Sequence, residues 1–139
     1  MNAPVLYSRE ETLGVAEFKR VLMESGLWKF RPVDDPARLG ALISGASLIV
    51  TARLATEERH LIGVARCVTD FSWCCYVSDL AVSASAQGLG VGRGLLEETR
   101  RQLGPEVSLT LTSLPDVAGF YESVGMVRVS DAFWYQRVY

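Results

Sequence analysis

The sequence predicts one α/β domain of the α+β kind, built of an antiparallel meander with helices before and after it. Three observations carry this prediction. Strand-like and helix-like patterns follow one another as strand, two helices, antiparallel meander, helix, strand, helix and strands. A glycine-rich corner at residues 87–94 joins the last strand of the meander to a helix. The chain has 139 residues, 49% of them hydrophobic, which suits one domain around a sizeable core.

Residues 5–8 read as a short first strand. Residues 9–25 have helical rhythm, with Leu13, Ala16, Val21 and Met23 set among Glu10, Glu11, Glu17, Lys19 and Arg20. Ser8 is placed to cap that helix, with Glu11 as its capping-box partner, and Gly26 to end it. The aromatic and basic loop Leu27-Trp28-Lys29-Phe30-Arg31-Pro32 follows. Asp34 or Asp35 can cap a second helix that has Pro36 in its first turn. Leu39, Leu42 and Ile43 share one face of it, and Gly45 lies at its end. Residues 47–54, 61–69 and 73–82 are strands, separated by a charged turn at 56–60 and by Asp70-Phe71-Ser72. A helix over 92–103 stops at Gly104-Pro105. Residues 107–112 alternate as a strand, and 115–123 form a short helix ending at Gly125. Residues 127–129 and 132–138 read as closing strands. No repeat, low-complexity tract or linker interrupts the pattern, so residues 1–139 are read as a single domain.

Composition excludes several classes. The formal net charge is −2 and no basic run is present, which argues against a nucleic-acid partner. Cys67, Cys74 and Cys75 are odd in number, and two are adjacent in a strand-like run. With His60 the single histidine, they make neither an ordinary disulfide nor a zinc set. Cys74 and Cys75 read as small core hydrophobes rather than nucleophiles, and reduced, partly buried thiols point to the cytoplasm. Met1-Asn2-Ala3-Pro4 does not open a signal peptide, and no apolar stretch is long enough to span a bilayer, so no membrane partner is expected.

The corner Gln87-Gly88-Leu89-Gly90-Val91-Gly92-Arg93-Gly94 carries the chemistry. Glycines there permit positive φ and leave backbone N–H groups open to a ligand at a helix start, where the dipole favours phosphate. Arg93 adds charge at the rim. The pattern fits neither a P-loop nor a G-x-G-x-x-G fingerprint. It reads as Q-x-x-G-x-G through Gln87, Gly90 and Gly92, after Asp79-Leu80-Ala81-Val82. This resembles the acyl-coenzyme A pyrophosphate loop of the GNAT acyltransferase superfamily. The segment Gly119-Phe120-Tyr121-Glu122-Ser123-Val124-Gly125-Met126 is similar to the family's F/L-Y-x-x-x-G-F, with Met126 in the Phe place. The order of elements is also the one expected of that fold, and the resemblance implies a mixed, mostly antiparallel central sheet flanked by helices, with a split strand at the coenzyme A site.

The resemblance implies an N-acetyltransferase that moves an acetyl group from acetyl-coenzyme A to a primary amine by direct attack, without a metal. The alternative is a non-catalytic acyl-coenzyme A-binding or regulatory domain. The family's split strand puts Leu80, Ala81 and Val82 along the pantetheine arm. Gln87, Gly88, Leu89, Gly90, Val91, Gly92 and Arg93 fall on the pyrophosphate. Tyr121 matches the general acid. Leu114-Pro115 stands where the family often has an asparagine. Asp79 reads either as a general base or as a structural carboxylate. Tyr76 and Ser78, taken to share the other face of the strand, are alternatives for a water relay. The loop 27–31, with Trp28 and Phe30, and the aromatic turn 71–73 could border the acceptor or cover a core edge. Trp134-Tyr135 pack a final strand or the contact of a homodimer. The implied acceptor is a small-molecule or peptide amine.

Overall fold

The computed structural model describes residues 3–138; Met1, Asn2 and Tyr139 lie outside the described residues. Among the described residues, five strands build one sheet: β1 (Val5–Arg9), β2 (Leu48–Leu54), β3 (Leu61–Thr69), β4 (Cys74–Val82) and β5 (Ser108–Thr110), side by side in chain order. The β1–β2, β2–β3 and β3–β4 pairs are antiparallel, and β4–β5 is parallel. Among the described residues, four α-helices accompany the sheet: α1 (Val15–Ser25), α2 (Pro36–Ser44), α3 (Val91–Leu103) and α4 (Ala118–Ser123). Both faces of β2 and β3 are covered, which is why these strands read as continuous apolar runs rather than as alternation. On one face Phe18, Val21 and Leu22 of α1 and Leu39 and Ile43 of α2 pack on Ile49, Val64 and Ala81. On the other, Val91 and Leu95 of α3 pack on Val50, Ile62, Ala65, Cys67 and Val77. Helix α3 approaches β1 so closely that a Cβ on Gly94 would lie 2.3 Å from the Tyr7 ring.

Three sequence expectations need correction. The first helix begins at Val15, not at residue 9, and Gly14 precedes it without a side-chain cap. Pairing with β2 takes Ser8 and Arg9 into β1, and Glu10 turns to Thr51 and Arg53 instead of entering a helix. Arg53 also holds Glu17 at 2.8 Å, so one guanidinium ties β2 to the start of α1. Next, residues 127–129 and 132–138 form no strand. Val127, Phe133, Tyr135 and Val138 stand at least 85% exposed. Apolar groups alternate onto both sides of 132–138, so a strand there needs cover on both faces, and β5 offers an edge of only three residues. Last, Cys74 is exposed, whereas Cys67 and Cys75 are buried; all three are free thiols. The second helix follows expectation: the Asp35 carboxylate accepts the Arg38 N–H at 3.1 Å and Pro36 opens the helix.

Candidate active site

The site begins where the sheet comes apart. β5 pairs with β4 only over Cys74–Tyr76 against Ser108–Thr110. Beyond Tyr76, β4 runs on to Val82 with β3 alone as a partner. A bulge marks the same place: Arg66 opposes Asp79 while Cys67 opposes Val77, so Ser78 is the extra residue of β4. The bulge reverses the alternation around it. Val77 and Leu80 face α3, whereas Tyr76, Asp79 and Ala81 face the side of α1 and α2. Ser78 Oγ and the Asp79 carboxylate both accept from Arg66, so the expected placement of Asp79 on the face opposite Ser78 is overturned, because a strict period of two does not survive an inserted residue.

A cavity of about 800 Å³ occupies the gap. Leu80 and Val82 line one wall and Leu111 to Leu114 the other. Ala81 does not line it; this residue is 1% exposed and belongs to the core. The floor is the glycine corner. Gly88 and Gly90 have φ of +80° and +81°, and a Cβ on either would meet nothing within 4 Å, so their backbones are open to a ligand. Gly90 is the N-cap of the 13-residue α3, and no side chain caps that end. The Gln87 side-chain amide donates to the Val82 carbonyl at 2.9 Å and fastens the corner to the end of β4. Gln87, Gly88, Gly90, Val91 and Gly92 all border the cavity. Leu89 and Arg93 do not; Leu89 is 56% exposed, and Arg93 donates to the Ser123 carbonyl at 3.3 Å.

Tyr121 lies on the same cavity, packed edge-on against Phe120 with ring centroids 5.1 Å apart. Burial pushes its phenol above the ordinary value of 10, so it stays protonated through neutral pH. Of the residues expected at the acceptor, Phe30 borders the cavity, while Trp28 and Tyr76 do not. The expected loop 27–31 also brings Lys29 and Arg31 to the lining, whereas the turn 71–73 does not reach it; Asp116 and Phe120, which line it too, were not expected there.

Asp79 has a setting the sequence did not reveal. It is 1% exposed and absent from the cavity wall. One carboxylate oxygen accepts from Arg31 Nε and the other from Arg66 Nε, the latter at 2.5 Å. Arg66 donates to Ser78 Oγ at 2.9 Å and to the Leu42 carbonyl at 3.3 Å. Arg31 donates to the carbonyls of Phe30 and Ser78 at 2.7 and 2.6 Å. The bulged strand, the end of α2 and the segment after α1 are thus joined through one buried carboxylate. Arginines so far apart in sequence carry no local signal of this meeting. Among the described residues, no group of His, Cys, Asp and Glu is arranged to hold a metal ion, and no helix is long and apolar enough to cross a membrane.

A mixed sheet that splits beside a glycine-cornered helix start is the frame of an acyltransferase. The chain belongs to the acetyltransferase (GNAT) domain family, which matches residues 47–127. It is similar to the uncharacterized N-acetyltransferase ycf52 of Pyropia yezoensis, 26% identical over 96% of this chain and 78% of that protein. In structure it resembles the GNAT family acetyltransferase SP0256 of Streptococcus pneumoniae, with a TM-score of 0.70, 20% identity, and coverage of 96% of this chain and 99% of the other. It also resembles the aminoglycoside N-acetyltransferase AAC(6')-Iy in complex with CoA, with a TM-score of 0.72, 14% identity, and coverage of 99% and 97%. The segment bearing Lys29 and Arg31 lies outside the family match.

Proposed function

We propose that the chain transfers an acetyl group from acetyl-coenzyme A to the nitrogen of a small amine. The observation that carries this reading is the divergence of β4 from β5 over a glycine corner, with Tyr121 on the same cavity. The unpaired flank of β4 at Leu80 and Val82 offers backbone groups to the pantetheine arm. The corner at Gly88, Gly90 and the start of α3 offers N–H groups and a positive dipole end to the pyrophosphate. The family, and the CoA complex of a structural neighbour, support this assignment.

In the proposed reaction the neutral amine nitrogen forms a C–N bond at the thioester carbonyl, and the C–S bond breaks. The sulfur leaves with the electron pair and takes a proton from Tyr121 Oη; the amine proton passes to solvent, and solvent returns a proton to the Tyr121 phenolate. Tyr121 suits the task because burial keeps its phenol protonated. General acid catalysis is worth about 10²–10⁴-fold, and a thiolate is a fairly stable leaving group, so the lower end applies. Tyr121→Phe is expected to lower kcat by about 10²-fold with coenzyme affinity nearly unchanged. Release of free coenzyme A thiol that depends on added amine tests the activity itself. Thiol release from neither the wild type nor any amine mixture, despite bound coenzyme, would mark a binding domain instead. Equal kcat in both proteins, with chemistry rate-limiting, would leave Tyr121 as a packing residue.

A further inference from the structure

We infer that the acceptor is an amine that also carries a carboxylate, held at its anionic end by Lys29 and Arg31. This rests on the acetyl-transfer reading and adds the class of acceptor. The charged side chains on the cavity are Lys29, Arg31 and Asp116. Lys29 forms no ion pair or hydrogen bond with any described residue, and its ammonium is free for a ligand. Arg31 spends Nε on Asp79, one Nη on the Phe30 carbonyl and the other on the Ser78 carbonyl. A guanidinium has N–H donors beyond those three contacts, and the Arg31 side chain is 21% exposed on the cavity.

Charge balance adds to this. Asp79 is the single carboxylate between two guanidinium groups, and both its oxygens are engaged. The Arg31–Asp79–Arg66 group therefore keeps one net positive charge behind the acceptor wall, and Lys29 adds a second in front. A polycation is repelled by such a wall, whereas an anionic group is attracted. The three contacts on Arg31 also fix its fork before any ligand arrives, which lowers the cost of binding a planar carboxylate. Asp116, from the turn ahead of α4, is the one carboxylate among the described lining residues and complements an amino group.

The test is thiol release at saturating acetyl-coenzyme A with α-amino acids, their carboxamides, and the polyamine spermidine. A hydrogen bond to a charged group corresponds to roughly 10–100-fold, so kcat/KM for an amino acid should exceed that for its carboxamide by about that factor. Spermidine should be the poorest acceptor. Lys29→Gln should narrow the acid-to-amide ratio several-fold without altering coenzyme affinity by calorimetry. Arg31→Lys should raise KM for the acids more than it lowers kcat. Equal or better turnover of carboxamides or spermidine overturns the inference while acetyl transfer stands. So does an unchanged ratio in both variants, or bound coenzyme with no carboxylated acceptor used. Failure of coenzyme binding together with absent thiol release rejects the acetyl-transfer reading itself, and the inference with it.

Discussion

Replacing Asp79 with Asn separates a proton acceptor from a positioning carboxylate. The side chain is fully buried, and each oxygen accepts from a different guanidinium. An amide keeps one acceptor oxygen but turns an NH₂ group toward the second arginine, donor against donor. It also leaves two cations with no counter-charge. Breaking a buried ion pair costs about 3–5 kcal/mol. Arg31 is 21% exposed and can recruit water, so the lower end applies, about 3 kcal/mol. With an unfolding entropy of about 2.1 cal/mol/K per residue, a chain of 139 residues gains roughly 0.3 kcal/mol/K at the midpoint. The melting temperature should then fall by about 10 °C. Circular dichroism gives the melt, and a thiol-release assay well below it gives kcat per folded molecule. A lost general base would cost about 10²–10⁴-fold in kcat. The geometry calls instead for kcat within about tenfold of wild type and a raised acceptor KM. A melting temperature within about 2 °C of wild type would refute the buried charge argument. A hundredfold loss of kcat at unchanged KM would restore Asp79 as the base.

Gly90→Asp should abolish calorimetric acetyl-coenzyme A binding in a folded protein, because φ of +81° disfavours a side chain and a carboxylate there repels pyrophosphate; unchanged binding heat would remove the corner from the cofactor site. Gly94→Ala should lower stability by about 1 kcal/mol in urea titration, since overpacking against Tyr7 outweighs the gain in helix propensity; a stabilised variant would show that the ring has another place to go. For Arg53→Met the sign follows from Glu10 and Glu17. Burial pushes the Glu10 carboxyl up, but hydrogen bonds from Arg53 and Thr51 outweigh it and hold it below the usual carboxylate range; the Arg53 hydrogen bond also lowers Glu17. Depressed carboxyls stabilise above their unfolded values and lose that contribution as pH falls through the folded ones. The variant should therefore be less stable by about 1–2 kcal/mol at pH 7, with the gap closing below about pH 4. A gap independent of pH would assign the loss to packing.

Much of this protein was legible in the chain because local rules set it. The Asp35-Pro36 start of α2, the apolar runs of β2 and β3, and the turn chemistry of the glycine corner depend on neighbours in sequence. Tyr121 and the corner were also legible, as a family pattern of fixed spacing. Tertiary pairing decided the rest. It drew Ser8 and Arg9 into β1 against a plausible helix cap, since ladder bonds to β2 and the Glu10–Arg53 pair outweigh an isolated capping box. It left 132–138 unpaired, because a strand needs an edge and a two-sided cover that no property of the segment itself can supply. It placed a bulge at Ser78, which moved Tyr76 onto the face of Asp79 and opened the cavity beyond the last β5 pair. Above all it brought Arg31 and Arg66 to Asp79 across 48 and 13 residues of chain. Composition and spacing fix which charges a chain carries, but burial and long-range contact alone fix which of them meet.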